Sequence, residues 1–130
     1  MTVRIVQLGS PRSATEGTRI GTVRRPPRGV PKAEFASGNW YDVWYANLAP
    51  SVETMKFGQA VQTEQQWRAF EKKYRSEMNS TENIRTLELL ATLSKQSNFS
   101  VGCYCADEAR CHRSILRLLL EQAGADVAPG

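Results

Sequence analysis

The chain opens on an alternating run. In residues 2–8 (TVRIVQL), Val3, Ile5 and Gln7 fall on one side and Arg4, Val6 and Leu8 on the other. That period of two predicts a strand with at least one apolar face, closed by Gly9-Ser10-Pro11. Residues 18–23 (TRIGTV) are β-branched and lie between Gly17 and Pro26-Pro27, the signature of a second strand. The following RRPPRGVP is excluded from regular structure, because two adjacent prolines remove two backbone donors and Gly29 supplies a turn. Residues 40–48 (WYDVWYANL) are aromatic-rich and form an ordered segment of either type, ending at Ala49-Pro50-Ser51.

Beyond this point the period changes to that of helices. Ser51 is placed to cap a short helix over residues 52–57. Thr63, with Gln66 three positions on, makes a capping-box pattern. Trp67, Phe70, Tyr74 and Met78 then follow at spacings of three and four, and Arg68, Glu71, Lys72 and Arg75 occupy the other face. After Asn79-Ser80 a further helix carries a stripe of Ile84, Leu87, Leu90, Ala91 and Leu93, ending near Ser97-Asn98. Residues 99–104 (FSVGCY) predict a third, buried strand. A last helix over about 111–123 turns Ile115, Leu116, Leu119 and Leu120 inward and stops at Gly124. Strands separated by helices predict an α/β fold: one compact domain over residues 1–127, with a small, mostly parallel sheet of three to five strands covered by helices. The regions around 43–45 and 126–127 are the candidates for extra strands, and residues 128–130 read as a frayed tail.

Composition changes this picture little. A chain of 130 residues, 41% hydrophobic and 23% charged, suits an ordinary globular domain. No apolar run approaches the roughly 20 residues of a membrane helix, and the first residues lack the pattern of a signal peptide. The expectation is a cytoplasmic protein with no membrane partner and with reduced thiols. Charge is more informative. Seven basic residues but only Glu16 and Glu34 fall within residues 1–35, so the net charge of +4 belongs to the first quarter. Such a local arginine cluster points to an anion.

Residues 101–120 (VGCYCADEARCHRSILRLLL) hold all three cysteines and the single histidine. Cys103 and Cys105, two apart in the strand, would face the same way. Cys111, His112 and Arg113 lie across a turn, where the last helix opens. The carboxyl ends of strands in open α/β sheets are the usual ligand site, and a helix N-terminus there offers free N–H groups and partial positive charge. Arg25, Arg28, Arg113 and Ser114 are therefore expected to bind an anion. Cys105, Cys111 and His112 are the candidates for reactivity, with Cys105 as nucleophile and His112 as its base. Zinc would draw on Cys103, Cys105, Cys111 and His112, which have the right softness. Neighbours on a helix point about 100° apart, however, so chelation from both Cys111 and His112 looks awkward, and no metal or cofactor is expected. A disulfide between Cys105 and Cys111 would also span the turn. Against all of these stand plainer roles: Cys103 as core, Asp107 and Glu108 as caps, Arg24 and Arg25 as solvated surface. Trp40, Tyr41, Trp44 and Tyr45 read as core, with one exposed ring able to stack on a base.

Three separated patterns occur in order. The first is Cys103, Cys105, Cys111, His112, Arg113, Ser114 and Leu116, in the form C-x-C-x5-CHRS-x-L. The second joins Trp44, Leu48, Pro50 and Ser51 to Trp67, Phe70, Tyr74 and Glu77, as W-x3-L-x-PS and then W-x2-F-x3-Y-x2-E. The third is a basic turn of Arg25, Pro27, Arg28 and Gly29, with Pro26 where a tryptophan is usual. On these residues the chain resembles the bacterial and archaeal family known as domain of unknown function 488. The resemblance covers most of the chain. It implies a compact α/β domain with the two basic loops in one site, and it carries no reaction with it. Three functions follow as expectations. The first is binding of a phosphate-bearing ligand, a nucleotide or nucleic-acid end, with thiol-dependent chemistry. The second is a metal or thiol redox sensor without turnover. The third is a nucleic-acid-binding module using the N-terminal basic loop.

Overall fold

A computed structural model describes residues 1–129. Four strands, β1 (Val3–Gln7), β2 (Thr18–Gly21), β3 (Val43–Trp44) and β4 (Phe99–Cys103), form one sheet in the order β1-β4-β2-β3. Every pairing is parallel. β4 is central, and Val101 is in register with both Ile5 and Ile20. Its sequence FSVGC is buried at all five positions, as expected of a strand covered on both faces. Gly102 has no room for a side chain, since a Cβ there would lie 2.6 Å from the carbonyl oxygen of Val6. The two extra strand candidates both contribute: residues 43–44 form β3, and Val127 makes a single parallel bridge to Val3.

Four helices surround the sheet: α1 (Val52–Gln59), α2 (Glu64–Met78), α3 (Thr81–Ser94) and α4 (His112–Gln122). Their starts follow local chemistry. The side chains of Ser51, Thr63 and Ser80 each accept a backbone N–H in the first turn, and Gln66 completes the capping box with Thr63. α1 runs two residues past the expected end, to Gln59. On α3 the buried positions are Leu87, Leu90, Ala91 and Ser94, whereas Ile84 and Leu93 are exposed. Leu93 sits about 100° around the helix from Ser94, so the stripe continues through the small serine instead.

Three features position the site. Tyr74 on α2 donates from Oη to the carbonyl of Leu48 at 2.6 Å. Glu77, one turn further on, accepts from the Ser51 N–H at 2.9 Å, the Ser51 hydroxyl at 2.6 Å and the Thr54 hydroxyl at 2.7 Å. The Pro50-Ser51 corner is thereby fixed to α2. Arg24 then reaches the same corner, donating to the carbonyls of Pro50, Ala46 and Ala49. Within β2, Arg19 is wholly buried and makes a two-point pair with Glu16, just before the strand, at 2.7 and 3.0 Å. Of the expected tail, Ala128 is tied to Val3 through its N–H and to Arg117 through its carbonyl, while Gly130 lies outside the described residues.

Candidate functional site

Because the strands are all parallel, the segments that follow β1, β2 and β4 leave the same edge of the sheet. A cavity of about 880 Å³ opens there. Arg25 and Arg28 after β2, Cys103 and Cys105 around the end of β4, and Cys111 and His112 at the start of α4 all line it. The two loops thus share one cavity. Tyr104 fastens them together: its hydroxyl donates to the carbonyl of Arg25 at 2.7 Å, its own carbonyl accepts from Gln7 at 3.2 Å, and its ring meets Trp40 edge-on. The far wall comes from α1, through Met55 and Lys56, and from α2, through Trp67 and Phe70.

The arginines divide into two groups. Arg25 and Arg28 are exposed on the cavity, and neither guanidinium has a hydrogen-bond or ion-pair partner among the described residues. Three other carboxylates are already engaged. Asp42 pairs with Arg12, Glu108 pairs with Arg117, and Asp107 accepts from the N–H of Ala109. Arg113, by contrast, is buried and does not line the cavity. It donates from Nη2 to the carbonyls of Cys105 at 2.7 Å and Ala106 at 3.4 Å. Ser114 donates its hydroxyl to the carbonyl of Cys111 at 2.9 Å. The expected convergence of Arg113 and Ser114 with Arg25 and Arg28 is therefore not what the fold builds. Side chains in a first helical turn lean toward the N-terminus, and here the carbonyls of the preceding turn lie in that direction and take both donors.

The sulfur and imidazole groups form a cluster of different membership from the one expected. The side chains of Cys103, Cys111 and His112 are all buried, and their ligand atoms lie within 4.8 Å of one another. The sulfurs of Cys103 and Cys111 are in direct contact, although their α-carbons are 7.9 Å apart. His112 Nε2 is 2.8 Å from the carbonyl of Thr22. Only an N–H can bond that oxygen, so Nε2 carries the proton and Nδ1 presents a lone pair. Nδ1 is 3.7 Å from Cys111 Sγ. Burial pushes the imidazole pKa down to about 4, against the opposing effect of the Thr22 bond and with help from the charge of Arg113. The imidazole thus stands beside Cys111, not Cys105. Cys111 precedes the helix, with extended backbone at φ −128° and ψ 151°. The divergence of helical neighbours does not apply to it, and it meets His112. Cys105 is a free thiol exposed beyond the end of β4, where the alternation that would have aligned it with Cys103 has stopped. Loss of hydration raises its pKa by more than Arg113 lowers it, which disfavours the thiolate a nucleophile needs.

A family model, DUF488-N3a, described as the active DUF488-N3 subclade, matches residues 3–124. The chain belongs to the DUF488 family. No curated protein and no solved structure matches it. In this DUF488 protein the three motifs divide their labour. The central pair, from Trp44 to Ser51 and from Trp67 to Glu77, bond to each other through Tyr74–Leu48 and Glu77–Ser51 and act as scaffold. The basic turn lines the cavity, and the cysteine motif supplies both a buried cluster and the Arg113 brace. Sequence reasoning missed Lys56, for which no local signal exists. It also took Trp67 and Phe70 as core alone, although both reach the cavity wall.

Proposed function

We propose that this DUF488 protein binds a ligand with a phosphate and a flat ring, a nucleotide or a nucleic-acid end, in the cavity at the carboxyl edge of its sheet. The supporting observation is that Arg25 and Arg28 both line one cavity with aromatic walls and have no internal partner among the described residues. Its volume of about 880 Å³ falls within the roughly 300–1,000 Å³ usual for small-molecule sites. Two guanidiniums without carboxylates favour an oxyanion that accepts paired hydrogen bonds. Trp40, Tyr104 and Trp67 offer faces or edges to a base. Arg24 spends its guanidinium on three carbonyls. Only two cations of the basic loop then remain for phosphate, which favours a compact ligand over a long nucleic-acid track.

Trp40 and Trp67 line the cavity, so titration with nucleoside phosphates and with a 5′-phosphorylated oligonucleotide is expected to alter tryptophan fluorescence. Arg25→Ala and Arg28→Ala should each weaken binding by roughly tenfold to a hundredfold, at about 1.5–3 kcal/mol per lost charged hydrogen bond. Arg68→Ala, on the outer face of α2, should bind as the parent does. Absence of binding to every phosphate ligand tried, or binding as tight as the parent's by both cavity variants, overturns the proposal.

A further inference from the structure

We infer that Cys103, Cys111 and His112 form a three-ligand site for a divalent transition metal of zinc's class, with its fourth position open to the cavity. Each ligand is held by a regular element. Cys103 is the last residue of β4, Cys111 the N-cap of α4 and His112 its first residue. The three ligand atoms lie within 4.8 Å of one another and all three residues line the cavity. Two sulfurs and an imidazole are a donor set that zinc, a borderline-soft ion, prefers over calcium or magnesium.

The surroundings fit the same assignment. The Thr22 carbonyl takes the Nε2 proton at 2.8 Å and so aims the Nδ1 lone pair at Cys111. Orientation of a ligand histidine through its other nitrogen is the usual arrangement around a metal. Among the described residues no fourth ligand joins the cluster. His112 is the only histidine, Cys105 lies outside the cluster, and Asp107 and Glu108 are engaged with Ala109 and Arg117. Three protein ligands and one position open to a cavity is the arrangement of metal sites that bind or activate an exogenous group, not of closed structural sites. Binding of one divalent ion releases two thiol protons, leaving two thiolates, a neutral imidazole and a water or anion around it.

Cobalt(II) reports the assignment directly. Full-length protein, reduced and stripped of metal, is titrated with cobalt chloride while its visible and near-ultraviolet absorption is recorded. One cobalt per chain is expected, with sulfur-to-cobalt charge transfer and the intense visible bands of a four-coordinate ion. Cys105→Ser should leave both intact. Cys103→Ser and Cys111→Ser should each lose about half the charge-transfer intensity and bind at least tenfold more weakly. Added azide or inorganic phosphate should shift the visible bands by taking the open position. The inference is overturned if the reduced parent takes up no cobalt, if Cys105→Ser abolishes uptake, or if no added anion moves the bands. The parent and Cys105→Ser decide the matter even where a core cysteine variant fails to fold. Cobalt uptake is read without nucleotide, so its failure is distinct from a failure of nucleotide binding.

Discussion

Arg19 is the largest of the fully buried side chains, and its charge is answered in place. Glu16 takes two of its N–H groups, the carbonyls of Ser10 and Asn39 take others, and Ser100 on the central strand donates to the same carboxylate at 2.6 Å. Removing one partner of such a pair strands a buried charge. Glu16→Gln should therefore destabilise the protein by about 3–5 kcal/mol, read as a lower denaturant midpoint with unchanged slope. An equal midpoint would show that Arg19 finds other acceptors. Nothing in the sequence reveals this pair, because Glu16 and Arg19 look like any two charges in a basic first quarter. Arg113 was equally illegible. Its position after the lone histidine was plain, but its direction was set by which carbonyls the preceding turn presents.

At the level of elements, the corner between residue 48 and α1 depends on α2. Glu77 accepts three hydrogen bonds from Ser51 and Thr54, so it caps a helix to which it does not belong. Glu77→Ala leaves those donors unpaired and should cost roughly 2–4 kcal/mol. Thermal melting checks this, with Glu82→Ala at the exposed start of α3 as the neutral comparison. The helix starts were legible because caps are local: Ser51, Thr63 and Ser80 all act where the sequence placed them. Tertiary choices were not. Leu93 matched the apolar spacing yet lies outside. Cys111 was read as helical, and its extended backbone is what lets the sulfur and imidazole meet. The shared cavity of the two loops, by contrast, followed from parallel strands alone.

For the molecule as a whole, acid should be the weak side of the stability profile. Burial on its own would raise the carboxyl of Glu16, but the hydrogen bonds from Arg19 and Ser100 and the charge of Arg19 hold it below its ordinary 4.5. At Glu77 the Ser51 and Thr54 bonds overcome burial in the same sense. At Asp42 the Arg12 hydrogen bond is the largest cause of a value below 3.8. Carboxylates with lowered native pKa values contribute stability that is fully present above their unfolded values. It is lost as pH falls through the native ones. His112, kept neutral by burial with its pKa pushed down to about 4, protonates more readily in the unfolded chain below its ordinary 6.5. Denaturant midpoints should therefore begin to decline below about pH 6.5 and fall more steeply below about pH 4, where the carboxylates also protonate. Glu16→Gln should show a shallower fall, and an acid limb identical to the parent's would remove Glu16 from the account.

One small contact has a bearing on how the protein behaves in concentrated solution. Asp126 and Ala128 bond the N–H and carbonyl of Val3 from the outer side of β1, and Arg117 secures Ala128 in turn. At the opposite margin β3 is only two residues long. A foreign strand thus meets its first rung already taken on one flank and scarcely any ladder on the other. The sheet guards itself against edge-to-edge polymerisation by its own chain.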